Sequence, residues 1–310
     1  MRGGAQAHLM LGADGNFWVV KFRNNPQHVR VLANELIASK LAERVGLTVP
    51  QTDVIEVGEW LVANSPEMRI EEGERTQPCA AGLNFGSRFI GGMMPGQTVD
   101  YLPEERLREV RNLAEFAGML VIDKWTCNCN GRQAVFERRT RERKYRATFV
   151  DQGFCFHAGD WEFKDSALRG VYARNAVYAK VTGWADFEPW LTMVEEMPAE
   201  TMWRIAEGVP PEWYGGDTAV IERLMEQMEE EALWQIAATV PPEWYGGNLT
   251  EIERLMEQLL ARRERVRELI VAFRESGREP FPNWKKDRAK VTVRPFSDGE
   301  WVQYRDEVRG

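Results

Sequence analysis

The first part of the chain alternates short apolar runs with turns and then changes to a helical period. Residues 8–21 hold two apolar runs separated by Asp14-Gly15, a pair typical of the turn of a two-stranded hairpin. Residues 28–46 then repeat apolar side chains every four positions, which predicts an amphipathic helix with Gly46 at its C-terminal end. A hairpin followed by a helix is therefore predicted.

The pattern then returns to short segments. Residues 47–57 and 58–64 are each predicted to form a strand, and the polar residues 64–87 are predicted to form a loop. Residues 86–96, GSRFIGGMMPG, start as a short apolar strand and break into glycines. This break predicts a linker between two lobes.

Beyond Pro103 the helical period dominates. A long helix is predicted from the apolar stripe Leu107, Val110, Leu113, Ala117 and Leu120. Two strands are predicted at 131–139 and 145–156, joined by a charged and solvated tip at 138–144. After Trp161 the chain is predicted to be largely helical to about Ser276 and to end in a strand-like tail.

A tandem repeat lies in this helical part. Residues 200–228 recur as residues 231–259 at an offset of 31, and each copy holds a half-helix, a Pro-Pro stop, Gly-Gly and a new helix. We interpret it as a local duplication that adds packing helices, with a partner-binding insertion as the alternative. Arg262, Arg263 and Arg265 follow the second copy and are predicted to lie on a solvated face.

Composition excludes several classes of protein. The 310 residues are 44% hydrophobic, enough for one large domain or two modest ones. The net charge of −8 argues against a nucleic-acid coat protein. No apolar run is long enough for a membrane helix, and the N-terminus has no apolar signal-peptide core. The four cysteines indicate a reducing compartment, with the cytoplasm as the expected location.

One candidate for chemistry is a zinc site. Cys127 and Cys129 form one pair of possible ligands, and Cys155 and His157 form another about 26 residues later. Thiolates and imidazole suit tetrahedral zinc, although the one-residue spacing within each pair is poor for a zinc knuckle. A zinc-stabilised structural protein is therefore one hypothesis.

A second candidate is a phosphate site. Gly3 and Gly4 precede the hairpin whose second strand carries Lys21, and the following helix carries Glu35. A strand lysine fixed by a helix carboxylate is how kinases hold nucleotide phosphates. Asp151 ends an apolar strand far downstream, a suitable place for a Mg²⁺ ligand.

The chain resembles the HipA-like kinases and, more distantly, the type II phosphatidylinositol 4-kinases in the order of these features. The order runs from the glycine turn through the strand lysine and the helix carboxylate to Asp151. The resemblance spans roughly residues 1–195 and is carried by RGGAQAHLM, FWVVKF, ANELIASKLAERVGLTVP, VIDKWTCNCNGRQAVF and FVDQGFCF. It implies an α+β, bilobal protein-kinase-like fold that transfers the γ-phosphate of ATP. The expected division is a small β-rich N-lobe at 1–90, a larger mainly helical C-lobe at 91–284 and a tail at 285–310.

The resemblance also implies roles for individual residues. Lys21 would touch the phosphates and pair with Glu35, and Asp151 would bind Mg²⁺. The remaining expected nucleotide contacts are Gly3 and Gly4 in the phosphate-covering loop, and Phe89 and Ile90 in the hinge segment 89–92.

The loop at 123–133 matches the family pattern in part. That pattern is Asp-x4-Asn-x-Asp followed by a basic residue and an Asn, and Asp123, Asn128 and Arg132 fit it. Asn130 then occupies the position of the usual base, and Gln133 falls near that of a metal-binding Asn. In a second register Asp123 would be the base and Asn128 the metal ligand, as in ordinary protein kinases.

These expectations define two further hypotheses besides the zinc protein. The first is a kinase that uses ATP and Mg²⁺ to phosphorylate a Ser or Thr hydroxyl of a protein, with autophosphorylation as one form of the reaction. The second is a nucleotide-binding pseudokinase or regulatory module, because the side-chain amide of Asn130 is neutral and cannot accept a proton from a hydroxyl.

Overall fold

The computed structural model describes residues 4–91, 97–197, 241 and 249–284. Gly3, Gly92, most of the tandem repeat and the predicted strand-like tail lie outside these ranges.

The N-terminal lobe is built on a four-stranded antiparallel sheet. The predicted hairpin is confirmed, with Gly15 at a φ of 75° in its turn, a conformation that glycine adopts without strain. The strands occur in the order β1-β2-β6-β3. Their bounds are β1 His8–Leu11, β2 Phe17–Lys21, β3 Thr52–Val57 and β6 Gly82–Arg88.

The two faces of this sheet have different surroundings. Trp18, Val20 and Phe22 lie on one face and are buried beneath a second hairpin, which contributes Ile70. Because side chains alternate along a strand, Lys21 lies on the opposite face. On that face three apolar side chains of the hairpin stay exposed, namely Leu9, Leu11 and Phe17.

Two predictions for the next segment are wrong. The predicted strand at 58–64 is helix α2, Glu59–Asn64, and it buries no residue. A short apolar run has no clear period, so it fits either element. The predicted loop at 64–87 contains strands β4 Arg69–Glu72 and β5 Arg75–Pro78 as well as β6. The β4–β5 hairpin is largely exposed and polar, so its strands lack apolar alternation.

Helix α1, Arg30–Arg44, confirms the predicted amphipathic helix. Gly46 follows it at a φ of 78°, the left-handed conformation expected of a C-terminal cap. Its apolar side chains pack into the main hydrophobic core with the second lobe, chiefly Leu32, Leu36, Ile37 and Leu41. The helix therefore connects the sheet carrying Lys21 to the rest of the molecule.

The long helix predicted after Pro103 is interrupted. It forms α3, Glu104–Leu107, and α4, Glu115–Trp125. Between them Asn112 exchanges two hydrogen bonds with the backbone of Ala147, and Arg111 N donates to Tyr145 O. These bonds to a strand compete with helical hydrogen bonding and account for the break.

The predicted pair of strands at the end of α4 is confirmed, with different bounds. A three-stranded sheet has the order β7-β8-β9, with β7 Thr98–Val99, β8 Gln133–Glu137 and β9 Arg146–Val150. The predicted tip at 138–144 is largely exposed. The second strand ends at Val150 rather than Phe156, and a 3₁₀ turn follows at Cys155–His157.

The rest of the second lobe is helical only in part. Residues 162–174 form no helix or strand. The helices are α5 Trp190–Glu195, α6 Leu249–Arg262 and α7 Val266–Arg274. The predicted α+β class is confirmed, with a small β-rich lobe and a larger lobe that holds most of the described helices. Among the helices described, none is long and apolar enough to cross a membrane.

Candidate active site

Three charged side chains from distant parts of the chain meet where the lobes face each other. Lys21 on β2 donates a hydrogen bond to Glu35 on α1, and its Nζ lies 2.8 Å from Oδ1 of Asp151, just after β9. The Lys21 side chain is 13% exposed and that of Glu35 is 4% exposed. Asp151, at 27%, is the member most open to solvent.

The charges of this cluster depend on one another. Burial alone lowers the pKa of an amine, but the carboxylates of Glu35 and Asp151 outweigh it and raise the pKa of Lys21. Burial raises the pKa of Glu35, and Lys21 opposes that effect. For Asp151 burial acts in the same direction, but the ion pair with Lys21 outweighs it and lowers the pKa. Asp151 is therefore an ionised carboxylate at neutral pH.

The backbone around Asp151 is shaped for this contact. Asp151 has a φ of 64°, a left-handed conformation that is uncommon for a residue with a side chain. Gln152 N donates to Oε2 of Glu35 at 2.9 Å. A Cβ on Gly153 would lie 2.6 Å from Cγ1 of Val31 and 3.2 Å from Oε1 of Glu35. Glycine at position 153 thus permits the close approach of α1 to this loop.

Asp123 lies at the C-terminal end of α4 in a buried network. Its carboxylate accepts hydrogen bonds from Nη2 and Nε of Arg132, the latter at 3.0 Å, and from Nδ2 of Asn128 at 2.8 Å. Arg132 also donates to Val150 O at 2.9 Å and to Oε1 of Gln152 at 2.8 Å. The loop is therefore fixed to the end of β9 through Arg132.

The remaining predicted residues of the loop separate into two groups. Asn128 is buried, and its Oδ1 accepts from the backbone N of Asn130. Asn130 is exposed, and its Oδ1 accepts from Gly131 N. Gln133, at the start of β8, is exposed and donates from Nε2 to Oδ2 of Asp151 at 2.6 Å. Gln133 faces Asp151, whereas Asn128 is engaged within its own loop.

The predicted nucleotide contacts of the N-lobe lie apart from this cluster. Gly4 lies beside Gln27, whose Nε2 would be 2.5 Å from a Cβ at that position. Phe89 and Ile90 follow β6 and line a groove with Thr48 and residues of β8 and β9. Neither part shares a hydrogen bond with Lys21 in the described residues.

Asn34 is a contributor that the sequence analysis missed. It is fully buried on α1, donates from Nδ2 to Gly153 O and Ala158 O at 2.8 Å each, and accepts from Trp161 Nε1 at 2.8 Å. It holds the segment after Asp151 against the helix. A polar residue within the apolar face of the predicted helix was the signal that could have identified it.

Arg262 corrects a prediction. It was expected on a solvated face, but it is 4% exposed and donates to Trp125 O at 2.9 Å, Lys124 O at 2.8 Å and both oxygens of Asp165. These acceptors lie on α4 and in an irregular loop, so periodicity within α6 gave no sign of them. Arg265, at 47% side-chain exposure, fits the prediction.

The four residues of the zinc hypothesis do not form a metal site. In the part of the chain that the structure describes, no group of three or more His, Cys, Asp or Glu side chains is placed to hold a metal ion. Burial raises the pKa of the Cys127 thiol to about 11, and also raises that of Cys155. These thiols are protonated at neutral pH and behave as small buried side chains.

The residues around Asp151 fit a magnesium ion better. Asp151 supplies a partly exposed carboxylate, and the side-chain amide of Gln133 lies beside it with its nitrogen donating to Oδ2. The oxygen of the same amide becomes a ligand when the amide group turns over. Mg²⁺ prefers oxygen ligands, binds through one or two carboxylates and keeps several waters. The buried ammonium of Lys21 adds a positive charge beside this carboxylate. Such a charge binds the negatively charged phosphates of a nucleotide.

Comparison with known proteins supports the resemblance. Residues 1–130 match the family model described as HipA-like kinase, which confirms the resemblance for that part of the chain. No curated protein shows significant sequence similarity to the chain.

Some solved structures resemble the chain weakly. The Helicobacter pylori proinflammatory kinase CtkA is 13% identical with a TM-score of 0.39, over 88% of this chain and 94% of that one. The golgi casein kinase is 10% identical with a TM-score of 0.36, over 84% and 72%. Hydra Fam20 with sugar is 11% identical with a TM-score of 0.36, over 91% and 85%. These scores carry no argument, and the similarity to kinases rests on the family match of residues 1–130.

Proposed function

We propose that the protein is a HipA-like phosphotransferase that uses ATP and Mg²⁺. The observation that carries this proposal is the cluster of Lys21, Glu35 and Asp151, which joins three distant segments at the junction of the lobes. The match of residues 1–130 to the HipA-like kinase family supports the same reading. We place the division of the lobes near residue 90 and the end of the C-lobe near residue 284.

Each member of the cluster has a distinct role in this proposal. Lys21 binds the phosphates, and Glu35 holds its ammonium in place from α1. Asp151 and Gln133 hold the metal ion, which supplies positive charge against the phosphate oxygens when bound. The exposed apolar side chains on the Lys21 face of the sheet, Leu9, Leu11 and Phe17, offer a surface for the adenine ring.

The loop at 123–133 supports the first of the two registers. Gln133 contacts Asp151 and so occupies the place of the second metal ligand, whereas Asn128 bonds to Asp123. Asp123 is buried and fully engaged by Arg132 and Asn128, so we assign it to loop positioning rather than to proton transfer. Asn130 is left at the position of the base.

Loss of the base does not exclude transfer. Phosphoryl transfer has a loose transition state and depends mostly on positioning and electrostatic stabilisation. The chain would therefore transfer phosphate slowly to a hydroxyl, which we propose to be Ser or Thr on a protein, or on itself. We also propose a cytoplasmic location, as expected for a chain of this length with four cysteines.

A second candidate function is favoured by Asn130. Its amide cannot take a proton from a hydroxyl, and the nearby Asp123 carboxylate is closed off by an ion pair. A protein that binds nucleotide and signals its presence without turnover would keep Lys21, Glu35 and Asp151 and could lack the base. This is the pseudokinase alternative.

Incubation with ATP labelled on the γ-phosphate distinguishes the two candidates. The protein is mixed with Mg²⁺, labelled ATP and a cell lysate, beside Asp151→Asn as the control. Label on this chain or on a lysate protein that disappears with Asp151→Asn supports the phosphotransferase. Nucleotide binding without any label transfer supports the regulatory module, and absence of both contradicts the proposal.

A further inference from the structure

A second site candidate lies behind the segment that joins the lobes. A groove of about 260 Å³ is formed by the loop between α1 and β3, the end of β6 and the β8–β9 hairpin. Its lining includes Thr48, Pro50, Arg88, Glu137 and Arg146. The groove therefore receives side chains from both lobes.

This groove lies apart from the cluster of Lys21, Glu35 and Asp151, although Phe89 and Ile90, which the resemblance predicts as nucleotide contacts, line it. Arg88 pairs with Trp18 across β2 and β6, which places it on the sheet face opposite to Lys21. Glu137 and Arg146 pair at one end of the β8–β9 hairpin, and Gln133 and Val150 pair at the other. Four residues of strand put about 13 Å between the two ends.

The groove carries an excess of positive charge. Arg88 donates to Oε1 of Gln51 at 3.3 Å and to Oδ1 of Asn16 at 2.6 Å, and Arg146 donates to Oγ1 of Thr48 at 3.4 Å. All three acceptors are neutral. Within the described ranges, neither guanidinium forms an ion pair with a carboxylate. Glu137 is the one acidic residue of the lining, so two positive charges face one negative charge there. The carboxylate of Glu115 lies behind the lining and accepts from N and Oγ1 of Thr48 at 2.8 and 3.1 Å.

The chemistry of this lining points to a phosphate group. A guanidinium has five N–H donors, and the hydrogen bonds given above use two of those of Arg88 and one of those of Arg146. Arginine matches phosphate oxygens with two parallel hydrogen bonds and is favoured wherever phosphate is recognised. The groove also has apolar walls from Val49, Pro50, Phe89 and Ile90.

We propose that this groove binds a phosphate monoester with a small apolar body. The guanidiniums of Arg88 and Arg146 hold the phosphate, and the apolar walls contact the ester group. Since Arg88 belongs to the N-terminal lobe and Arg146 to the C-terminal lobe, the bound ester links the two. Its source is either a free metabolite or a phosphorylated tyrosine side chain, which share this chemistry.

Binding is measured by NMR titration of the ¹⁵N-labelled full chain with phenyl phosphate, with phenol and inorganic phosphate as controls. The expected result is a shift of the amide signals of Gly91 and Thr148, with little change at Gln152 and Gly153 beside the active-site cluster. Phenyl phosphate binds more tightly than either control. A tyrosine-phosphorylated peptide that binds at least tenfold more tightly than phenyl phosphate identifies a protein as the source, and weaker binding identifies a free ester.

Two charge variants should change the affinity for phenyl phosphate in opposite directions. Arg146→Gln weakens binding by about tenfold, since it removes a charged hydrogen-bond donor. Glu137→Gln strengthens it by a few fold, because it removes the repelling carboxylate. Arg143→Gln, an exposed change of equal charge at the hairpin tip, leaves the affinity within about twofold.

The proposal is overturned by shifts confined to Gln152 and Gly153, by equal effects of Arg146→Gln and Arg143→Gln, or by no binding at millimolar phenyl phosphate. None of these outcomes depends on whether ATP binds at Lys21 and Asp151, so the result is independent of the proposed phosphotransfer.

Discussion

Lys21 and Asp151 are 130 positions apart in the chain, and Nζ of Lys21 lies 2.8 Å from Oδ1 of Asp151. The contact joins the second strand of the N-terminal lobe to the end of a strand in the C-terminal lobe. Glu35 completes the contact from α1. The relative position of the lobes and the charge of the candidate site therefore depend on the same ion pairs.

Removal of the ammonium should destabilise the fold in a pH-dependent way. Lys21→Met leaves Glu35 buried without its partner, and we expect the free energy of unfolding to fall by about 3 kcal/mol at pH 7. Burial already raises the pKa of Glu35, and loss of Lys21 raises it further. The folded variant then binds a proton at pH values above 4.5, the ordinary pKa, where the unfolded chain does not.

The loss in free energy of unfolding caused by Lys21→Met should therefore grow as the pH rises above 4.5. It should shrink as the pH falls towards that value. Urea denaturation at pH 5 and pH 7 measures this difference. Lys40→Met, which removes a lysine of α1 from a surface pair with Glu43, is the matched control and should cost less than about 1 kcal/mol. A deficit that is the same at both pH values contradicts the assignment of the buried charge to Glu35.

Gly153 should tolerate no side chain. In Gly153→Ala the new methyl group would lie 2.6 Å from Cγ1 of Val31, so α1 or the loop after Asp151 must shift. We expect a loss of about 1–3 kcal/mol in stability, measured by denaturation. Gly131→Ala is the control, because its Cβ would meet only Val171 O at 3.9 Å. Equal stability of the two variants would argue against the close packing at position 153.

Arg262 should support the fold from the C-terminal helices. Arg262→Met removes the buried donor from two backbone carbonyls and leaves Asp165 with only the exposed Arg265, and we expect a loss of about 3–5 kcal/mol. Arg262→Lys should restore little of it, because an ammonium cannot match the planar set of acceptors. Arg265 contacts the same Asp165 from an exposed position, so Arg265→Gln should lower the stability by less than about 1 kcal/mol. Similar losses for Arg262→Met and Arg265→Gln would refute the buried role of Arg262.

Asn130→Asp should raise the rate of label transfer without altering stability. The exposed side chain keeps its shape and its bond to Gly131 N, while the new carboxylate can accept a proton. A general base contributes about 10²- to 10⁴-fold in enzymes, so we expect an increase of at least tenfold in the initial rate. The same substitution made together with Asp151→Asn should show no increase. An unchanged rate in the single variant would mean that position 130 is not the place of the base.

The sequence predicted the elements that have a clear period. The hairpin at Asp14-Gly15 was confirmed because its turn pair is specific, and Trp18 and Val20 are buried under the second hairpin. The helix was confirmed because Ala33, Ile37 and Leu41 face the main core. The β4–β5 hairpin was missed because its strands are polar on nearly every position. The break between α3 and α4 was missed because it depends on Asn112 bonding to Ala147, a contact between residues distant in sequence.

The candidate site also contains residues that the sequence predicted and residues that it did not. Lys21, Glu35 and Asp151 could be proposed from their order along the chain, since each stands in a recognisable local setting. The ion pair that occupies the Asp123 carboxylate could not be predicted, because it depends on Arg132 folding back onto α4. Asn34 and Arg262 act through acceptors on other elements, so their own helices gave little sign of them.

The most direct test of the central claim is thermal unfolding with ATP, with and without Mg²⁺. We predict that ATP and Mg²⁺ together, at about 100 times the dissociation constant, raise the melting temperature by about 5 °C or more. ATP without Mg²⁺ should give a smaller rise, and Asp151→Asn should abolish the difference between the two conditions. A melting temperature that does not respond to ATP and Mg²⁺ would contradict a nucleotide site at Lys21, Glu35 and Asp151.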